Sequence, residues 1–166
     1  DRAKAFCALN EIPMPTVTRL MQTDRLYHLA SCAYYRPRDG IVIMVEKCAT
    51  RGHGGRAWSW PGYAIDRTPY GVIQHELGHH VDHTTSESAK SRDDVQSLFS
   101  WKIHDASREE PLTGYLGTDT RTPTFFMEWF AENFRLFVTN PDLSFNLRPK
   151  FYAAIVGTGL KPVSSL

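Results

Sequence analysis

The sequence predicts an α+β fold in one domain over residues 1–166. It should hold a small twisted mixed sheet, an active-site helix bearing His75 and His79 beneath it, and a second, buried helix bringing Glu128. Three stretches predict this. Ile41 to Glu46 is rich in β-branched residues and follows a turn at Arg38-Asp39-Gly40, which reads as a strand. "RTPYGVIQHELGHHVDHTTS" reads as a helix: Thr68 can cap it, Pro69 suits its first turn, and Thr84-Thr85-Ser86 end it. "FFMEWFAENFRLFVTN" is apolar on most sides and stops at Asn140-Pro141, as a central helix would.

The remaining elements follow in order. Residues 16 to 32 mix apolar and polar positions loosely and are read as helical. Residues 51 to 63 form a glycine-rich loop carrying His53, Trp58 and Trp60. Residues 87 to 110 are charged, with helix expected around Val95 to Trp101. "EEPLTGYLGTDTRTPT" is a loop, and residues 148 to 157 are a short closing helix ended by Gly157.

Bulk properties exclude several classes. The formal charge is +1 and no long basic or acidic run occurs, which argues against nucleic acid or an anionic membrane as partner. The longest aliphatic run, Ile41 to Val45, is far short of the roughly 20 residues that span a bilayer, so no membrane insertion is expected. The chain starts at Asp1 and reads as a processed product or excised domain. Cys7, Cys32 and Cys48 form no C-x-x-C pair, and small core residues are the favoured reading.

Four of the 7 histidines fall between His75 and His83. His75, Glu76 and His79 make H-E-x-x-H. On a helix, residues i and i+4 share a face, so two imidazoles can meet one zinc ion. Glu76 is turned aside from the ion and can instead take a proton from a water that the metal acidifies. Chance produces this motif in roughly 1% of chains of this composition. Gly78 is costly in a helix by about 1 kcal/mol relative to alanine, which suggests close approach of another backbone or side chain. His80 and His83 read as polar or partly exposed residues. Asp82 divides evenly between a hydrogen bond to a ligand histidine or neighbouring loop and a solvated carboxylate.

A catalytic zinc needs a third protein ligand. Thr85 stands where a histidine six residues after His79 would supply it. Glu128 and Glu132 lie i, i+4 on an otherwise apolar helix, where two carboxylates are expensive to bury without a positive partner. A zinc ion supplies that charge: Glu128 would bind it, and Glu132 would accept a hydrogen bond from a ligand histidine. A weaker rival is Asp119 in "GTDT", which has half of an aspartate-type zinc motif.

"HELGHHVD" followed about fifty residues later by "EWFAENF" resembles the gluzincin-type peptidases related to the anthrax lethal factor catalytic domain and the clostridial Pro-Pro endopeptidases. The resemblance covers roughly residues 70 to 140. It implies a zincin-like fold, Zn2+ as cofactor, and Glu128 as third ligand with Glu132 behind it. It also implies an oxyanion-stabilising tyrosine before the second helix, matched by Tyr115 in "LTGY", although thirteen residues separate Tyr115 from Glu128 where the family has fewer.

The expected activity is therefore zinc-dependent hydrolysis of a polypeptide substrate, with Glu76 and Tyr115 as catalytic residues. The family context favours a secreted or delivered effector. A zincin-fold module without activity and a zinc hydrolase of a non-peptide amide are the alternatives, and the intact Glu76 argues against the first. The strand Ile41 to Glu46 is either an edge that pairs with extended substrate or an ordinary core strand. Trp58, Trp60 and His53 either line a specificity pocket or, more simply, pack their loop onto the core.

Overall fold

The structure, a computed structural model, describes residues 1–20, 33–44, 69–86, 94–112 and 122–164. Among them are six α-helices and three strands: α1 (Arg2–Leu9), β1 (Val17–Leu20), β2 (Ala33–Arg36), β3 (Gly40–Met44), α2 (Pro69–Thr85), α3 (Phe99–Ser107), α4 (Pro123–Thr139), α5 (Pro141–Leu147) and α6 (Pro149–Gly157). A single 3-10 turn, Val95–Ser97, precedes α3. The α+β class and the small mixed sheet thus follow the sequence.

The sheet order is β1-β3-β2, with β1 parallel and β2 antiparallel to β3. The strand expected over Ile41 to Glu46 is β3, and it is central and buried along its whole length. Both its edges are already paired, so it offers no edge to an extended substrate. The core-strand reading is the correct one, because "GIVIM" has no polar face to leave in water. Residues 17–20 are also strand and not helix: their pairing with β3 overrides a loose local pattern.

Gly40 closes the β2–β3 hairpin at φ +72°, a region that favours glycine. A Cβ here would collide with the carbonyl of Thr16. That carbonyl instead accepts from the Ile41 N–H at 2.8 Å, which joins the hairpin to the start of β1.

Helix α4 is the axis of the core. Thr122 caps it, accepting from the Phe125 N–H at 3.3 Å, and Pro123 occupies its first turn. Asn140 ends it and caps α5 through the Leu143 N–H at 3.1 Å. Trp129, Phe130, Phe134 and Phe137 are fully buried, each contributing about 1.5–3 kcal/mol of transfer free energy. His104 on α3 lies edge-on to Phe125, Phe126 and Trp129, with centroids 5.9, 5.0 and 4.8 Å away.

Helix α2 packs on α4 more extensively than any other pair of elements. Gly78 makes this possible. A Cβ at position 78 would lie 2.8 Å from the Ala131 Cα and 3.3 Å from the Phe134 ring. The close approach expected from the sequence is therefore to the backbone of α4, which cannot move aside locally. Gly78→Ala should lower the unfolding free energy by about 2 kcal/mol, overpacking outweighing the better helix propensity of alanine. It should also loosen metal binding, since the spacing of α2 and α4 sets the site described below. Denaturant unfolding and zinc titration of the variant measure both effects.

The first histidine after the motif ties α2 to the sheet. His80 is buried. Its Nε2 donates to the Pro13 carbonyl at 2.9 Å, which leaves Nδ1 of the neutral ring to accept from the Tyr35 hydroxyl at 3.0 Å. Burial, only partly offset by the Pro13 carbonyl, lowers its pKa. Of the reading of His80 as polar or partly exposed, the polar part holds and the exposure does not, because α2 runs under β2 and under the segment before β1. His83 is half-buried, with its ring 6.3 Å from that of Tyr35. Asp82 is buried and accepts from the Ser100 N–H at 2.7 Å, while Ser86 Oγ accepts from the Phe99 N–H at 3.1 Å. The end of α2 thus caps the start of α3, whose own N-cap residue, Leu98, has no side-chain oxygen to do so.

Cys7 is a buried free thiol pushed up to about 11 by desolvation, which makes it an unreactive core residue. Cys32, Cys48 and the loop with His53, Trp58 and Trp60 lie outside the described residues. No helix among the described residues is long and apolar enough to cross a membrane.

Candidate metal centre

The α2–α4 interface brings together His75, His79 and Glu128, the three residues singled out as metal ligands. His75 and His79 face the same way from successive turns of α2, and Glu128 reaches them from the second turn of α4. His75 Nε2 is 3.2 Å from His79 Nε2 and 3.1 Å from Glu128 Oε2. His79 Nε2 is 3.2 Å from Glu128 Oε1. Donor atoms of a tetrahedral zinc ion at about 2.0–2.1 Å lie about 3.3 Å apart. The two imidazole nitrogens have that spacing, each lies at it from one oxygen of the Glu128 carboxylate, and one ligand atom from each residue falls within 4.8 Å of the others.

Hydrogen-bond chemistry points the same way. His75 Nδ1 lies 2.8 Å from Glu132 Oε2 and must donate to it, since a carboxylate only accepts. In the neutral ring this leaves a lone pair on Nε2, directed toward Glu128 and His79. Glu128 Oε2 is buried and receives no hydrogen bond, despite its closeness to that nitrogen. With both rings neutral and the His79 lone pair likewise on Nε2, these atoms converge with nothing positive between them, an arrangement that a cation satisfies. The donor set therefore fits a metal ion, and the hydrogen bond expected from a candidate ligand histidine to Glu132 is in place.

Charge balance adds to this fit. Glu76, Glu132 and Arg135 are buried, and Glu128 is 23% exposed at its side chain. Three carboxylates then face one guanidinium, and a divalent ion makes the formal charges equal. Without the ion, protons on the histidines compensate. Burial lowers the His75 pKa, but Glu132 and Glu128 outweigh it and raise it well above 6.5. At His79 burial again opposes, and Glu128 raises the value. Glu128 itself is pushed up by burial but held well below the usual carboxylate range by the two imidazoles. Glu76 is raised, chiefly by burial, against the lowering effect of His75 and His79.

These directions predict an inverted pH response. A histidine whose folded pKa is raised stabilises the metal-free fold below pH 6.5, and that stability is lost as pH rises through the raised value. Zinc needs both histidines deprotonated, so its affinity rises over the same interval. The melting temperature of chelator-treated protein should fall from pH 6 toward alkaline pH, while the increment from added zinc grows. A zinc increment that is flat or shrinking over this range contradicts the assignment.

Arg135 escaped the sequence reading. It is buried at 4% exposure, with Nη1 3.3 Å from Glu132 Oε2. Its signal was present in the spacing: a charged residue three positions after Glu132 and seven after Glu128, on a helix otherwise apolar. Tyr115 and the rival ligand Asp119 lie outside the described residues. The segment that leads toward Tyr115 is firmly held, however. Trp129 Nε1 donates to the Glu109 carbonyl at 3.0 Å, and Arg148 donates to the carbonyls of Glu110 and Pro111 at 3.1 and 2.7 Å.

Comparison of the chain with protein-family models, curated proteins and solved structures finds no match in any of the three.

Proposed function

We propose that the protein is a zinc-dependent endopeptidase of zincin-like fold, with His75, His79 and Glu128 holding the metal. The observation that carries the reading is the meeting of three ligand atoms from α2 and α4 within 4.8 Å of one another, beside the buried Glu76 of the same H-E-x-x-H motif. Bound there, zinc supplies Lewis acidity, which makes water nucleophilic near neutral pH and polarises a carbonyl. Glu76 accepts the proton from the attacking water and passes it to the leaving amine. Glu132 fixes the ring of His75 and, through its hydrogen bond, its tautomer. Tyr115, by its resemblance to the family tyrosine, donates its hydroxyl to the developing oxyanion.

The test is elemental analysis of purified protein together with cleavage of a peptide library, with and without a chelator. One zinc per chain and chelator-sensitive cleavage support the proposal. Zinc without any cleavage supports a binding module, and cleavage confined to non-peptide amides supports the other hydrolase. Protein that takes up no stoichiometric metal removes the basis of all three.

A further inference from the structure

We propose that Arg135 is a positioning residue for the metal site, acting through Glu132 on the ring of His75; this rests on the metal-site reading above. The contacts form one line. Arg135 Nη1 donates to Glu132 Oε2 at 3.3 Å, and the same oxygen accepts from His75 Nδ1 at 2.8 Å. His75 Nε2 then faces Glu128 at 3.1 Å.

The physical need for the third member is torsional. The last torsion of a glutamate is an sp³–sp² bond with a broad energy profile, so one hydrogen bond does not fix the carboxylate plane. A second donor on the same oxygen does. The direction of the Glu132 lone pairs sets the plane of the His75 ring, and that plane aims Nε2. Arg135 and Glu132 are both on α4, three residues apart, so this pair is assembled by one helix before α2 contributes anything.

Burial argues for a purpose beyond general stability. Arg135 and Glu132 are 4% and 3% exposed, and α4 around them is aromatic and aliphatic. A buried ion pair in such a core is often no more stabilising than apolar residues of the same volume. The pair is explained if its product is an accurately aimed ligand.

Zinc affinity, measured by competition with a chromophoric chelator, and the visible spectrum of the cobalt(II)-loaded protein test this without relying on activity. Arg135→Met should weaken zinc binding about 10-fold and alter the cobalt bands, and Arg135→Lys should restore part of both. Because Arg135 acts through Glu132, Arg135→Met should have little further effect in a Glu132→Gln background. Should Arg135→Met fail to fold, Arg135→Lys in the two backgrounds gives the same cycle, with an expected loss of about 3-fold that disappears beside Glu132→Gln. Wild-type affinity and spectrum in the folded Arg135 variants, or losses that simply add to that of Glu132→Gln, overturn the proposal. Wild-type protein that binds no zinc overturns the metal site itself, a result distinct from zinc bound equally well with and without Arg135.

Discussion

Replacing Glu76 by glutamine should lower kcat/KM for peptide hydrolysis by about 10²–10⁴-fold while leaving one zinc per chain. Glutamine has the shape of glutamate but cannot accept and return a proton. Glu76 is not among the converging ligand atoms, so the metal has no reason to leave. The fold should also survive: Glu76 is buried and its pKa is raised chiefly by desolvation, so a neutral amide of equal volume relieves a charge that the core disfavours. A small gain in melting temperature of the chelator-treated variant is the expected companion result. A variant that cleaves at the wild-type rate removes Glu76 from the mechanism, and one that loses zinc makes it a ligand instead of a base.

Glu128→Ala has the second large effect, on the metal itself. Loss of a partner that merely orients a ligand weakens metal binding by about 10–100-fold, so removing a ligand outright should exceed about 100-fold. By mass action a 100-fold loss of affinity removes about 2.7 kcal/mol of zinc-linked stability when zinc is in large excess. The zinc-induced rise in melting temperature should therefore shrink by at least the equivalent of that loss. A second readout separates this from general damage. Glu128 is the largest influence raising the His79 pKa, so the alkaline loss of stability in the metal-free protein should shrink in the variant. Zinc binding at wild-type strength would place the third ligand elsewhere, with Asp119 the next residue to substitute.

The two long helices were legible because their residues are self-consistent over many turns. Continuous apolarity and the stop at Asn140-Pro141 agreed along residues 125–140, and the carboxylates within them demanded a positive partner; the start at Pro123 behind the Thr122 cap fell in a stretch that reads as loop. The H-E-x-x-H spacing placed two imidazoles on one face with no knowledge of the rest of the chain. Gly78 announced a close approach, though not to what. Of the short elements, the closing helix Pro149–Gly157 and β3 were legible, whereas β1 and β2 were not. β1 has four residues of weak pattern and exists by pairing with β3, while β2 is too short to outweigh its neighbours locally. β3 was recognisable as a strand, but central or edge position is a property of its neighbours, and both of its sides are filled. His80 read as polar or partly exposed, with its burial hidden, because Tyr35 and Pro13, which bond it, lie 45 and 67 positions away.

By itself the sequence determined the α+β class and the two long helices, and it singled out His75, His79, Glu128 and Glu132 as candidates, since periodicity and the energetic demands of buried charge are local facts. Only the tertiary structure decided that His75, His79 and Glu128 meet at 3.1–3.2 Å, that Arg135 stands behind Glu132, and that Asp82 caps α3 instead of facing water. The reason is distance along the chain. A ligand set drawn from two helices depends on how closely their backbones approach, and that spacing is set by Gly78 against Ala131, a contact between residues 53 positions apart that no local pattern encodes.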